Sequence, residues 1–293
     1  MADAIRGCWV AAPTPLSETG AVDHGAFARH ARRLFDAGAD GVVLFGTTGE
    51  GPSFAGAERL AAAEALLAAG VPAGRIGLGA GFPAVAESVA VTRAALALGL
   101  TQVLLLPPFF YRDAPPEGIE DAFAAVLDGV GDDRLRATLY HIPQVAGVGV
   151  PPAVAGRLRA RYGGVVAGLK DSSADLAQFR AFRAAAPDLA VTVGNEADIA
   201  SAMAEGGAGT ICGMANLVPG VVRALVAGQA DTAAISAALS VMAGAPFVPT
   251  LKAILAAQTG EPGWGRVRPP LRARPDGAAL RARLEAALRP RAA

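Results

Sequence analysis

The stretch Val165-Val-Ala-Gly-Leu-Lys170 is free of polar residues until it ends in a lysine. Nothing in it alternates, so a strand built from it is buried on both faces, as in a parallel sheet. Short runs rich in Val, Leu and Ile read the same way at Cys8 to Ala12, Gly41 to Phe45, Ile76 to Gly81 and Gln102 to Pro107. Three more lie at Arg136 to Ile142, Ala190 to Gly194 and Gly209 to Gly213. Between them run amphipathic stretches such as Gly25 to Ala37, Ala57 to Ala69 and Ala86 to Leu98. Their apolar residues recur at i, i+3 and i+4, as in Phe27, Ala31, Leu34 and Phe35. Eight strand-then-helix units predict an α/β fold closed into a (β/α)8 TIM barrel. An open doubly wound sheet would want a glycine-rich phosphate turn after its first strand, and Ala11-Ala-Pro-Thr-Pro-Leu16 is no such turn.

Residues 1–225 are expected to form the barrel and 226–293 a helical C-terminal extension packed on it. Helical segments are predicted at Val221 to Ala227, Thr232 to Ala243, Leu251 to Thr259 and Ala278 to Leu288, with a Pro/Arg-rich connection from Glu261 to Asp276. The chain of 293 residues balances 26 Lys plus Arg against 26 Asp plus Glu, with a pI near 6.8. That balance leaves no broad basic face, so neither nucleic acid nor an anionic membrane is expected as a partner. Cys8 and Cys212 stand apart with no CxxC or Cys/His cluster, and the three histidines make no metal constellation. Met1-Ala-Asp-Ala-Ile-Arg6 lacks a long apolar segment after a basic start, so no signal peptide is read and a cytoplasmic location is expected. Ala137 to Gly156 and Thr232 to Leu251 lack charged residues, but each is interrupted by proline and reads as buried soluble structure.

In such barrels the chemistry sits at the carboxyl ends of the strands. Those ends carry Gly46-Thr-Thr-Gly-Glu50, Tyr140-His141, Lys170-Asp-Ser-Ser173 and Gly194-Asn-Glu196. The cations comprise 24 Arg and only two Lys, Lys170 and Lys252. A lysine leaving an apolar strand is partly desolvated, which disfavours the ammonium, and a neutral amine attacks a ketone to form a Schiff base. A structural ion pair with Asp171 or Glu196 is the alternative, but arginine would serve that purpose and cannot form an imine. Lys252 needs no more than packing or a salt bridge. Tyr140, on the preceding strand, offers a phenol for proton transfer, unless its hydroxyl faces solvent. The Gly46-Thr-Thr-Gly49 turn offers two hydroxyls and backbone N–H groups suited to a carboxylate.

These residues resemble the pyruvate-dependent class I aldolases and lyases that include dihydrodipicolinate synthase and N-acetylneuraminate lyase. The similarity runs from Pro13-Thr-Pro15 through Gly46-Thr-Thr-Gly-Glu50, Pro108-Phe-Phe-Tyr111, Tyr140-His-Ile-Pro143 and Gly168-Leu-Lys-Asp-Ser172 to Ala215-Asn216 and Arg268-Pro-Pro-Leu271. The resemblance implies a homotetramer, arranged as a dimer of dimers, of barrels with C-terminal helices. It implies an imine between Lys170 and pyruvate or another 2-oxo acid, with Tyr140 as acid/base and Thr47 as its proton relay. Thr48, with Gly46 and neighbouring N–H groups, would hold the carboxylate. Gly194, Glu196 and Ile211 would line the substrate site, and Tyr111 would reach a neighbouring subunit's site. No metal or organic cofactor is implied, because the iminium is itself the electron sink.

Two departures narrow the substrate. Where dihydrodipicolinate synthase carries an arginine for a second carboxylate, this chain has Val145, which cannot form that bidentate pair. The sugar-binding run of the neuraminate lyases is reduced to Gly194-Asn-Glu-Ala197, with one acid, Glu196. The expected activity is reversible aldol cleavage of a 2-oxo-3-deoxy sugar acid or related hydroxy-2-oxo acid. The alternatives are 4-hydroxy-tetrahydrodipicolinate synthase and a 2-oxo-3-deoxy acid dehydratase.

Overall fold

Each apolar run forms a short strand: β1 (Gly7–Ala11), β2 (Gly41–Leu44), β3 (Ile76–Gly79), β4 (Gln102–Leu105), β5 (Arg136–His141), β6 (Val166–Asp171), β7 (Ala190–Val193) and β8 (Gly209–Cys212). The structure, a computed structural model, describes residues 4–289. Met1 to Asp3, on which part of the leader reading rests, lie outside the described residues, as do the last four positions of the extension. The strands pair in parallel in chain order, and β1 closes on β8 with Trp9 opposite Ile211. Closure removes both sheet edges, which suits strands buried at every position, as β2, β3 and β4 are.

Helices α1 (His24–Asp36), α2 (Gly56–Ala68), α3 (Val85–Ala97) and α4 (Pro116–Val130) follow the first four strands. The short α5 (Pro143–Ala146) and then α6 (Pro152–Tyr162) follow β5, and α7 (Leu176–Ala185), α8 (Ile199–Ala204) and α9 (Pro219–Val226) complete the ring. Local chemistry sets several boundaries. Asp23 and Asp175 accept hydrogen bonds from the Ala26 and Ala177 N–H groups at the starts of α1 and α7. Gly131 ends α4 in the left-handed conformation.

Two apolar cores result. The larger lies between strands and helices; the smaller fills the barrel with Trp9, Val43, Leu104, Tyr140 and Ile211 among its members. The Trp9 indole lies where a Cβ at Gly41 would stand, 2.6 Å from its Cε3, so the barrel floor requires a glycine there.

The C-terminal part consists of α10 (Ala233–Met242), α11 (Phe247–Thr259) and α12 (Gly277–Ala287). Helix α11 begins at Phe247, four residues before the predicted Leu251. Pro249 falls in its first turn, where a missing N–H costs no helical hydrogen bond. No single helix among the described residues is long and apolar enough to cross a membrane; α10 and α11 reach that length only together, bent by 105°.

His30, on the inner face of α1, joins the barrel to its extension. Its Nε2 lies 2.8 Å from Asn216 Oδ1, Arg33 donates to its Nδ1, and its ring meets the Trp264 ring edge-on at 4.7 Å. Burial pushes the imidazole down to about 3. The unfolded chain takes up this proton near pH ~6.5 and the native one does not, so the stabilisation is complete above that pH. It is lost as pH falls from there towards about 3. Urea unfolding of the wild type should therefore lose up to about 1.4 kcal/mol per pH unit more than His30→Gln across that window. Parallel stability curves for the two proteins would contradict the assignment.

Candidate active site

The carboxyl ends of β5, β6, β7 and β8 meet the loop after β2 around a cleft of about 240 Å³. Strand register puts Tyr140 directly opposite Lys170 on β6, so the two side chains enter the barrel mouth side by side. The Lys170 Nζ lies 4.2 Å from the centroid of the Tyr140 ring, within cation–π range. The Tyr140 hydroxyl is 3.1 Å from Thr47 Oγ1, which comes from the loop after β2. The phenol thus faces a second hydroxyl rather than bulk water. Lys170 is only 4% exposed. It makes no ion pair among the described residues, so the expected alternative of a structural bridge to Asp171 or Glu196 is absent there.

Thr48, Gly194, Glu196 and Ile211 line the same cleft. A Cβ at Gly194 would stand 2.0 Å from Ser172 Oγ and 2.8 Å from Lys170 Cε, so glycine clears the path of the lysine side chain. Glu196 is buried, and its Oε1 accepts hydrogen bonds from the N–H groups of Gly213 (3.0 Å) and Met214 (2.8 Å). Burial raises its carboxyl above the usual range, while those N–H groups and the charge of Lys170 pull it back.

Gly46 and Tyr111 stand elsewhere. Gly46 lines a neighbouring, largely apolar cavity of about 300 Å³ that shares Thr47, Ile142 and Val145 with the cleft. Tyr111 is 64% exposed on the loop after β4, edge-on to Phe110, itself 81% exposed with a φ of 96°. Neither aromatic lines the cleft of its own chain.

The structure adds Gln144, Ser172 and Phe247 to the cleft. Gln144 Nε2 donates to the Ser172 carbonyl, which ties α5 to the end of β6. Phe247 opens α11 and reaches across so that a Cβ at Gly213 would lie 2.6 Å from its ring. The extension is therefore a wall of the site as well as packing on the barrel. Ser172 was legible as a strand-end residue; nothing in the local sequence around Phe247 marks it. Among the described lining residues Lys170 is the only cation, and Val145 is 62% exposed at the rim. No group of three His, Cys, Asp or Glu among the described residues is disposed to hold a metal ion.

Fold and cleft together define a (β/α)8-barrel enzyme with a buried lysine at its mouth. Residues 4–257 match the profile of the Dihydrodipicolinate synthetase family. The chain belongs to that family and is a lyase of it. It is 37% identical over 223 residues to an uncharacterized DapA-like lyase of Chloroflexus aurantiacus, covering 75% of this chain and 73% of that one. It is 32% identical over 266 residues to the 4-hydroxy-tetrahydrodipicolinate synthase of Thermosynechococcus vestitus, covering 88% of each. The crystal structure of dihydrodipicolinate synthase from Agrobacterium tumefaciens superposes with a TM-score of 0.92 at 34% identity, over 97% of this chain and 100% of that one.

Gly194→Ala should displace the Lys170 side chain and lower turnover by roughly a hundredfold, the usual consequence of a misplacement near 1 Å. The far-UV circular dichroism should stay that of the wild type. Turnover at the wild-type rate would show that the cleft has room the geometry denies it.

Proposed function

We propose that the protein is a Schiff-base lyase that reversibly cleaves a 2-oxo-3-deoxy sugar acid or related hydroxy-2-oxo acid to pyruvate and an aldehyde. The observation that carries this reading is the convergence of the Lys170 amine, the Tyr140 phenol and the Thr47 hydroxyl in one buried cleft. Lys170 attacks the 2-oxo carbon, water leaves, and an iminium forms. Tyr140 takes the proton of the C4 hydroxyl, the C3–C4 bond breaks, and its electron pair collects in the enamine as the aldehyde departs. Protonation at C3 and hydrolysis release pyruvate. Thr47 relays the proton, while Thr48 and nearby N–H groups hold the carboxylate. The scheme uses no metal or organic cofactor.

Glu196, the single acid on that wall, suits a substrate hydroxyl. The absence of a second cation among the described lining residues disfavours a substrate with a second carboxylate. That weighs against 4-hydroxy-tetrahydrodipicolinate synthase, the name carried by several relatives at 30–32% identity. A dehydratase would share the imine and differ in the bond that breaks. The same reading makes residues 1–225 the catalytic barrel, residues 226–293 its extension, and the assembly a cytoplasmic homotetramer formed as a dimer of dimers. There the exposed Tyr111 of one subunit approaches the cleft of the next.

Borohydride added with pyruvate should leave one mass adduct, at Lys170, and no adduct would sink the imine. Lys170→Arg should abolish turnover with folding intact, and substantial residual activity would remove the nucleophile. A panel of pyruvate with glyoxylate, glyceraldehyde, aspartate semialdehyde or N-acetylmannosamine should give condensation with a neutral hydroxyaldehyde. Reaction with aspartate semialdehyde alone would restore the synthase.

A further inference from the structure

We propose that Lys252 is a positioning residue for this reaction: through Glu50 it fixes the Gly46–Glu50 turn so that the Thr47 hydroxyl meets Tyr140. The inference rests on the imine reading above and assigns a role to the second of the two lysines.

The turn is not at rest by itself. Phe45 and Glu50, which bracket it, both have left-handed backbones, with φ of 54° and 57°. Residues with a Cβ keep such angles only where their surroundings hold them. Glycine is required alongside: a Cβ at Gly49 would lie 2.8 Å from the Phe45 nitrogen, and one at Gly51 would lie 2.2 Å from the Phe45 oxygen.

What holds Glu50 comes from far along the chain. Lys252, on α11 and 0% exposed, donates from Nζ to Glu50 Oε1 and to the Thr14 carbonyl, the latter at 2.8 Å. The other carboxylate oxygen accepts the Arg268 N–H at 2.9 Å. Thr14 Oγ1 in turn donates to the Gly49 carbonyl at 2.8 Å. One ammonium thus secures Glu50 at the far end of the turn directly and the adjoining Gly49 through Thr14. Thr47 is joined to the same end, because its carbonyl accepts the Glu50 N–H at 3.1 Å. A buried pair of this kind is costly to desolvate and is poor evidence for stability alone, whereas fixing one arrangement of a loop is a use for it. Arginine, with a larger planar head, would not fit a point between one carboxylate oxygen and one carbonyl as a compact ammonium does.

The test reads exchange of the pyruvate methyl protons into deuterated water at saturating pyruvate, which depends on proton transfer after the imine has formed. The double variant Glu50→Gln/Lys252→Met removes the pair without leaving a lone charge. Exchange should fall roughly ten- to hundredfold in protein whose circular dichroism is unchanged. In a Thr47→Val background the same two substitutions should cost little more, because the hydroxyl they position is already gone. Wild-type exchange in the double variant overturns the proposal, as does an undiminished further loss in the Thr47→Val background. If the double variant does not fold, Glu50→Gln alone is read by the same two criteria. A wild-type enzyme that neither traps pyruvate with borohydride nor exchanges its protons overturns the imine reading and this one together. Trapping and exchange in the wild type with unaffected variants overturn this one alone.

Discussion

A strand buried on both faces can carry a charged side chain only at an end, because anywhere else the charge would lie in hydrocarbon without solvent or partner. The rest of this molecule follows from that constraint. Closing eight such strands gathers the ends of β2, β5, β6, β7 and β8 into one mouth, and the in-register pairing of β5 with β6 sets a phenol beside an amine. Glycine at 194 then leaves the volume that the lysine side chain occupies. Charged groups elsewhere in the interior, such as Lys252 and Arg59, are instead tied to a partner charge or to backbone carbonyls.

The mouth is electrostatically lopsided. Lys170 faces a buried carboxylate, Glu196, but that carboxylate is held by two backbone N–H groups rather than by the amine. Had Glu196 bonded Lys170 directly, the charged form of the amine would be stabilised. Using main-chain donors keeps an acid in the cleft without engaging the lysine in an ion pair. The buried cation of Arg59 is handled in a similar way, by the carbonyls of Gly51, Phe54 and Gly79 and the face of Phe82.

Much of this was legible in the sequence because it depends on neighbours along the chain. Non-alternating apolar runs mark the strands, and the polar residues at their carboxyl ends fall at the mouth, as Lys170, Tyr140 and Thr47 do. Contacts between distant segments left no such trace. Phe247 lines the cleft only because the start of α11 lies against Gly213, just after β8, and the pairing of Lys252 with Glu50 spans most of the chain. Helix α11 starts four residues before the predicted Leu251, with Pro249 in a first turn that tolerates it. Tyr111 is exposed and does not line its own cleft, and the resemblance implies a place for it at a neighbour's.

The scarcity of lysine has a practical side. Of the two side-chain amines, one is sealed in a buried ion pair and the other opens only into the cleft. Reagents aimed at lysines therefore find little to modify on the outer surface of the native barrel. Coupling the protein to a support or dye through lysine chemistry would draw on the very group the cleft is built around. Attachment through another residue type would leave that group untouched.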